Sequence, residues 1–263
     1  MRAGAFPRRP SRLSASTVGT GGCRGSDGTA AAGAAATDDG GVPDHGQVYV
    51  WWADLSMVGP RHVDLLDPVE RARRLRYRRP ADADRFTLGA ALLRLVAAEA
   101  TGTDPATLAV ARPCPTCDQP HGRPTVTGVH VSVSHTGERV AVAITTAGPV
   151  GVDVEGITAV APDLGHHVLG PGEAVAGPRD FYTYWVRKES VVKATGDGLG
   201  VALSGVLVGR PDEPPRLTAY PGMEAPAAAM ADLCPEGDYA AAVTVLTAAP
   251  VAVHEEDAAA LLR

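Results

Sequence analysis

The sequence predicts an α+β protein made of two halves of similar content. Three observations support this. Strand-like runs fall into two groups, each group has one long helical pattern, and the order of helix followed by strands is met twice along the 263 residues. The first strand is Gln47-Val-Tyr-Val-Trp-Trp-Ala53, β-branched and aromatic. A first helix is expected only after the arginine-rich stretch that follows: from Asp82, Phe86, Ala90, Leu93 and Ala97 recur at helical spacing, between Pro80 and Gly102. Arg85 and Arg94 are assigned to its charged side. Strands at Val129–Ser134, Val140–Thr145 and Val150–Glu155, separated by Thr-Gly and Ala-Gly-Pro turn signals, read as an antiparallel meander. The second half offers a helix from about Asp180 to Thr195, then strands near Val201–Val208, Arg216–Tyr220 and Tyr239–Leu246. No sequence repeat links the halves, so any relation between them is one of shape. The expected units are a disordered tail over 1–46, an N-terminal half over 47–155 and a C-terminal half over 156–263.

The tail is rich in Ala, Gly, Ser and Thr and has too few large apolar side chains to offset the entropy of ordering. It lacks the apolar core of a secretory signal and reads as dispensable or as a start codon placed too early. A hydrophobic fraction of 45% with 21% charged residues is ordinary for a soluble enzyme. No run approaches the roughly 18 apolar residues of a membrane span. Four scattered cysteines do not make a disulfide framework, so a soluble protein in a reducing cytoplasm is expected. The net charge of −6 argues against a chain-wide role with nucleic acid. Locally, Arg71, Arg73, Arg74, Arg76, Arg78 and Arg79 fall in one stretch without an acid, which is either an anion-attracting patch or a solvated helix face.

Three segments carry chemistry. In Gly151-Val-Asp-Val-Glu-Gly156, Asp153 and Glu155 share one face of a strand, about 7 Å apart, with Val152 and Val154 on the other. Paired carboxylates suit a hard cation such as magnesium, which keeps positions for water and for substrate phosphates. The hexapeptide alone is equally consistent with the polar side of an amphipathic strand. In Phe181-Tyr-Thr-Tyr-Trp-Val-Arg-Lys-Glu-Ser-Val-Val-Lys193, Phe181, Trp185 and Val192 form an apolar stripe, with Lys188 inside it and Glu189 on its shoulder. Charges there border a polar cleft or meet opposite charges, because an unpaired buried charge is costly. Glu189 and Lys193 are i, i+4 neighbours. In Val131-Ser-Val-Ser-His-Thr-Gly137, Ser134 and His135 end a strand and can donate to phosphate oxygens; the guanidinium of Arg123, in His121-Gly-Arg-Pro124, suits the same task.

Together, and in this order, these segments resemble the 4′-phosphopantetheinyl transferases, most closely the long, single-chain Sfp-like type. The resemblance covers roughly 47–250 and rests on Asp153-x-Glu155 with Trp185-x-x-Lys-Glu-x-x-x-Lys193, supported by Ser134-His135 and Gly122-Arg-Pro124. It implies two pseudosymmetric α+β halves, each a small, mostly antiparallel sheet packed with a long helix, with coenzyme A between them. It implies Asp153, Glu155 and Glu189 as ligands of magnesium, with Glu189 also helping to deprotonate the serine of an acyl or peptidyl carrier protein. Lys193 would neutralise or protonate the leaving phosphate, and Lys188 would add positive charge nearby. Asp153, Glu189 and Lys193 are thus the expected catalytic set. Arg123, Pro124, Ser134 and His135 would hold the nucleotide end, with Arg78 and Arg85 as further phosphate contacts. The implied partners are coenzyme A and apo carrier domains of the kind used in polyketide and nonribosomal-peptide synthesis, and the implied state is a cytoplasmic monomer.

The sequence departs from the family pattern at Arg123, where many relatives have lysine, and between Glu155 and Asp180, where Pro171-Gly-Glu173 is the expected remnant of a helix. Two other functions fit parts of the pattern: a magnesium-dependent phosphoesterase or nuclease, and an inactive carrier-binding module. Lys188-Glu189 on a helical rather than a strand pattern speaks against the first, and a complete ligand set against the second. Cys114-Pro-Thr-Cys117 with His121 nearby is half of a common structural zinc site, but no second half is visible, so thiols without metal are expected there.

Overall fold

A computed structural model of the protein describes residues 43–44, 46–114, 117 and 119–263. Apart from 43–44 and 46, the expected tail lies outside them. The described chain runs β1 (Gln47–Asp54), α1 (Pro60–Asp64), α2 (Pro68–Arg74), α3 (Pro80–Thr101), β2 (His130–Thr136), β3 (Arg139–Thr145) and β4 (Val150–Gly156). It continues through α4 (Gly165–Val168), α5 (Pro178–Thr195), β5 (Leu207–Val208), β6 (Leu217–Ala219), β7 (Ala229–Leu233), β8 (Tyr239–Val245) and β9 (Ala252–Asp257). Among the described residues no helix is long and apolar enough to cross a membrane.

The sheets have the orders β2-β3-β1-β9 and β4-β8-β7, with β5-β6 a small ribbon. All pairs are antiparallel except β1 with β9. The shape relation between the halves lies here. In each half the chain lays down one strand, a long helix, a second strand and then the strand that lies between those two, so β2-β3-β1 repeats as β7-β8-β4. The alternation expected for β4 holds: Val152 and Val154 join Val48, Val50, Ala141 and Ala143 in a core shared with the other sheet. Asp153 and Glu155 face the opposite way.

Helix ends follow the sequence signals. Proline opens α3 and α5, where no intrahelical amide bond is lost. Left-handed Gly102 and Gly196 close them, their amides bonding Ala98 O and Val192 O. In α2, Asp67 and Glu70 form a capping box.

Several expectations are corrected. The three-strand meander does not form: β2 and β3 pair with each other, but β4 pairs with β8. Turn signals between consecutive strands show that the chain reverses, not which strand it reverses onto. Of the strand expected at 201–208 only Leu207–Val208 forms, as β5; a 3₁₀ turn, Leu203–Gly205, precedes it. Helices α1 and α2 precede α3, and α2 takes in Arg71, Arg73 and Arg74, so helix begins before the arginine stretch rather than after it. The helical turn between Glu155 and Asp180 is α4, whereas Gly172 sits in a turn at positive φ.

Arg94 is not on a charged face but fully buried, bonded to Asp67 at 2.6 Å, Glu70 at 2.7 Å and the Leu108 carbonyl at 2.9 Å. Arg187 is its counterpart in α5. Its guanidinium takes both oxygens of Asp232, at 2.8 and 2.6 Å, and the carbonyls of Gly209, Arg210 and Glu213. One planar fork thus ties β7 and the segment after β5 to α5. Arg187→Met strips partners from Asp232 and three carbonyls, so urea unfolding should show a loss of about 3–5 kcal/mol.

Candidate active site

The site forms where the two sheets meet. β4 is the edge of its sheet, and its free amides have no backbone ladder on the β2 side. Serines of β2 supply the missing acceptors: Val152 N–H donates to Ser132 Oγ at 3.1 Å and Val154 N–H to Ser134 Oγ at 3.4 Å. The same strand then supports the carboxylates, as Ser134 Oγ donates to Asp153 Oδ1 at 2.8 Å and Thr136 Oγ1 to Glu155 Oε2 at 3.0 Å.

The third wall is α5. A Cβ on Gly151 would stand 2.0 Å from the Ser190 carbonyl and 2.6 Å from the Ala194 amide, so only glycine lets the helix lie this close to β4. That approach puts Lys193 Nζ 2.6 Å from Asp153 Oδ1, 2.9 Å from Ser134 Oγ and 3.1 Å from the Val152 carbonyl. Trp185, Glu189 and Lys193, one turn apart, line a cleft of about 390 Å³ with Asp153, Glu155 and His135. Arg73 and Arg112 also face into it.

The charges in this cleft are not balanced among themselves. Asp153 is buried, and its Oδ2 has no hydrogen-bond partner. Burial, then the charge of Asp153, pushes Glu155 up to about 7, against the opposing bond from Thr136 and charge of Lys193. Glu189 is raised for the same two reasons. Crowding by protein, followed by the positive charges of Lys193, Arg85 and Arg73, lowers the pKa of His135. The cleft therefore offers an unpartnered oxygen and two carboxyls that would ionise more readily beside a cation. It also has guanidinium groups suited to phosphate.

A model of the 4′-phosphopantetheinyl transferase superfamily matches residues 149–244, which carry β4, α5 and their charged groups. Over these residues the chain is similar to that superfamily. It is 29% identical over 155 residues to a 4′-phosphopantetheinyl transferase of Bacillus subtilis, covering 55% of this chain and 65% of that relative. To the 4′-phosphopantetheinyl transferase HetI of a Nostoc species it is 26% identical over 218 residues, 76% of this chain and 87% of the relative. To Sfp of Bacillus subtilis it is 26% identical over 159 residues, 56% and 68%. The first of these matches spans just under two thirds of the relative's length.

Of the residues expected in a superfamily site, Asp153, Glu155, Glu189, Lys193, Ser134 and His135 come together in one cleft. Arg123 and Pro124 line an adjoining concavity of about 400 Å³, where Arg123 donates to the Ala194 carbonyl at 2.6 Å near the end of α5. Lys188 points away. It is fully buried, donating to the Val168 carbonyl at 2.6 Å and pairing with Glu173, so it fastens α4 and the following turn to α5. Arg85 is taken up by Asp82 and the Gly137 carbonyl, and exposed Arg78 does not line the cleft. The arginines that do line the cleft are Arg73 and Arg112, which the sequence reading did not select. Arg73 belonged to the arginine patch, and only helix phase separates it from its neighbours. Arg112 had no local signal: it follows 11 residues after the end of α3, and 3.8 Å from it lies Glu70, which Arg94 fixes.

Two outcomes test this construction. Gly151→Ala should force α5 off β4, lowering thermal stability and abolishing activity even though no functional group is removed. In chelator, Glu155 binds its proton more tightly folded than unfolded, so its contribution to stability should decline as pH rises from about 4.5 to about 7. Thermal melts across this range should show a shallower decline in Glu155→Gln.

Proposed function

We propose that the protein transfers the 4′-phosphopantetheine arm of coenzyme A to a serine of an acyl or peptidyl carrier protein. The observation that carries this reading is the convergence of Asp153, Glu155, Glu189 and Lys193 on one cleft, with Asp153 Oδ2 buried and unpartnered. Magnesium fits the donor set: hard oxygen ligands, an orphaned carboxylate oxygen, and two carboxyls whose ionisation a cation would restore. Asp153, Glu155 and Glu189 would hold it, leaving positions for water and for the pyrophosphate of coenzyme A. When bound, the ion supplies charge neutralisation at the pyrophosphate.

The remaining work falls to side chains. Arg73, Arg112 and His135 grip phosphate oxygens and fix the nucleotide end. Glu189, with its raised pKa, takes the proton of the carrier serine, directly or through water. The serine oxygen forms a bond to the phosphorus nearest the pantetheine. The bond from that phosphorus to the bridging oxygen breaks, and adenosine 3′,5′-bisphosphate leaves. Lys193 leaves Asp153 to neutralise the departing phosphate. In-line phosphoryl transfer needs positioning and charge neutralisation more than a covalent nucleophile, and the cleft supplies both.

The test is to incubate the protein with coenzyme A, magnesium and apo carrier domains from fatty-acid, polyketide and nonribosomal-peptide systems, and to weigh each carrier by intact mass spectrometry. One phosphopantetheine should be added to at least one carrier, and the gain should vanish with chelator or in Asp153→Ala. Glu189→Gln should retain coenzyme A binding while slowing transfer by at least about a hundredfold. No mass gain on any carrier would overturn the proposal.

A further inference from the structure

Among the described residues, Cys114, Cys117 and His121 are the one group of three or more His, Cys, Asp or Glu residues whose donor atoms all lie within 4.8 Å of one another. Their arrangement goes beyond what was expected of two loop thiols. Cys117 Sγ is 3.0 Å from His121 Nε2. Tetrahedral zinc bound to two thiolates and an imidazole needs about 3.8 Å between sulfurs and about 3.6 Å from sulfur to nitrogen. The three donors thus lie close enough together to share one ion, with the Cys117–His121 pair somewhat tighter than that spacing.

The loop is built to hold these donors together. Ala111 and Thr125 pair as an antiparallel bridge at its base, with amide-to-carbonyl distances of 3.0 and 2.8 Å. Above them the Gly122 amide donates to the Arg112 carbonyl at 3.1 Å. A Cβ on Gly122 would stand 1.8 Å from the Pro113 carbonyl oxygen, so the two arms touch here and any other residue would push them apart. That contact sets His121 beside Cys114, seven residues earlier. The donor set is two sulfurs and an imidazole, which favours zinc over magnesium or calcium. Cys117 and His121 are exposed, leaving a fourth position for water.

We propose that Cys114, Cys117 and His121 bind one zinc ion that staples this loop, a metal site separate from the carboxylate cleft. The arms it joins end in two arginines. Arg112 lines the catalytic cleft, and Arg123 bonds the end of α5 beside the second concavity. The zinc therefore acts as a positioning device for Arg112 and Arg123. That consequence rests on the coenzyme A reading, whereas the metal site does not.

Metal content separates the two. The full chain, purified under reductant from zinc-supplemented culture, should carry roughly one zinc per chain by elemental mass spectrometry. Cobalt substitution should give a thiolate charge-transfer band. Both signals should fall to background in Cys117→Ser and in His121→Ala, with unchanged far-ultraviolet circular dichroism because both residues are at the surface. If the protein is a transferase, the same variants should raise KM for coenzyme A several-fold with little change in kcat. Zinc at background in the parent protein, or equal zinc in parent and both variants, would overturn the proposal whatever the enzyme assay shows.

Discussion

The structure turns on Ser134 Oγ. It accepts from the Val154 amide, donates to Asp153 and accepts from Lys193, so one hydroxyl joins β2, β4 and α5. With Ser132 and Thr136 it forms a row of side chains where a sheet would normally continue by backbone pairing. The two sheets therefore meet without merging, and the seam between them remains polar. A backbone ladder would have satisfied the edge of β4 equally well, but it would have left no room for carboxylates reaching across the join. Here the groups that satisfy the edge also hold the acids.

That seam explains the electrostatics. Asp153 is nearly fully buried, with Lys193 as its cationic partner, and the lysine reaches it only because Gly151 admits α5. Three carboxyl groups then share one cleft with a single bonded lysine, and burial, followed by the charge of Asp153, raises the pKa of Glu155 and Glu189. On the proposed reading, a dication and a pyrophosphate would offset this crowding of carboxyl groups. Without such a cation, Lys193 is the group that neutralises Asp153.

Much of this was legible in the sequence because it depended on local periodicity. The faces of β4, the limits of α3 and α5, and the placing of Glu189 one turn before Lys193 follow from period 2 and period 3.6 alone. What was not legible depended on tertiary partners. The alternation of β4 could not say that β8 rather than β3 would pair with it. The Ala-rich β7 and the charged β9 carry too little strand propensity to stand out. The arginine patch was visible, but which of its members reaches the cleft depends on where α2 docks on α3, and Arg74 bonding Thr87 fixes that phase. Cys114, Cys117 and His121 looked like half a site because ligand spacing is counted along the chain, whereas the contact of Gly122 with Pro113 is made across it.

The hardest feature to read was the run Arg187-Lys188-Glu189, three consecutive charges on one helix that go three separate ways. Helical phase separates their directions by about 100° each, but phase alone does not say which direction is solvent. Arg187 enters the C-terminal core and gathers Asp232 with three carbonyls, Lys188 reaches the end of α4 and Glu173, and Glu189 faces the cleft. The first two are fully buried, yet each meets a carboxylate and backbone carbonyls, so neither leaves an uncompensated charge. Their role is to hold α5 at one rotation and one height, with Arg187 fixing it to β7 and Lys188 to the segment before it. Because that rotation is what aims Glu189 and Lys193 at Asp153, the basic residues of this motif serve the chemistry by keeping out of it.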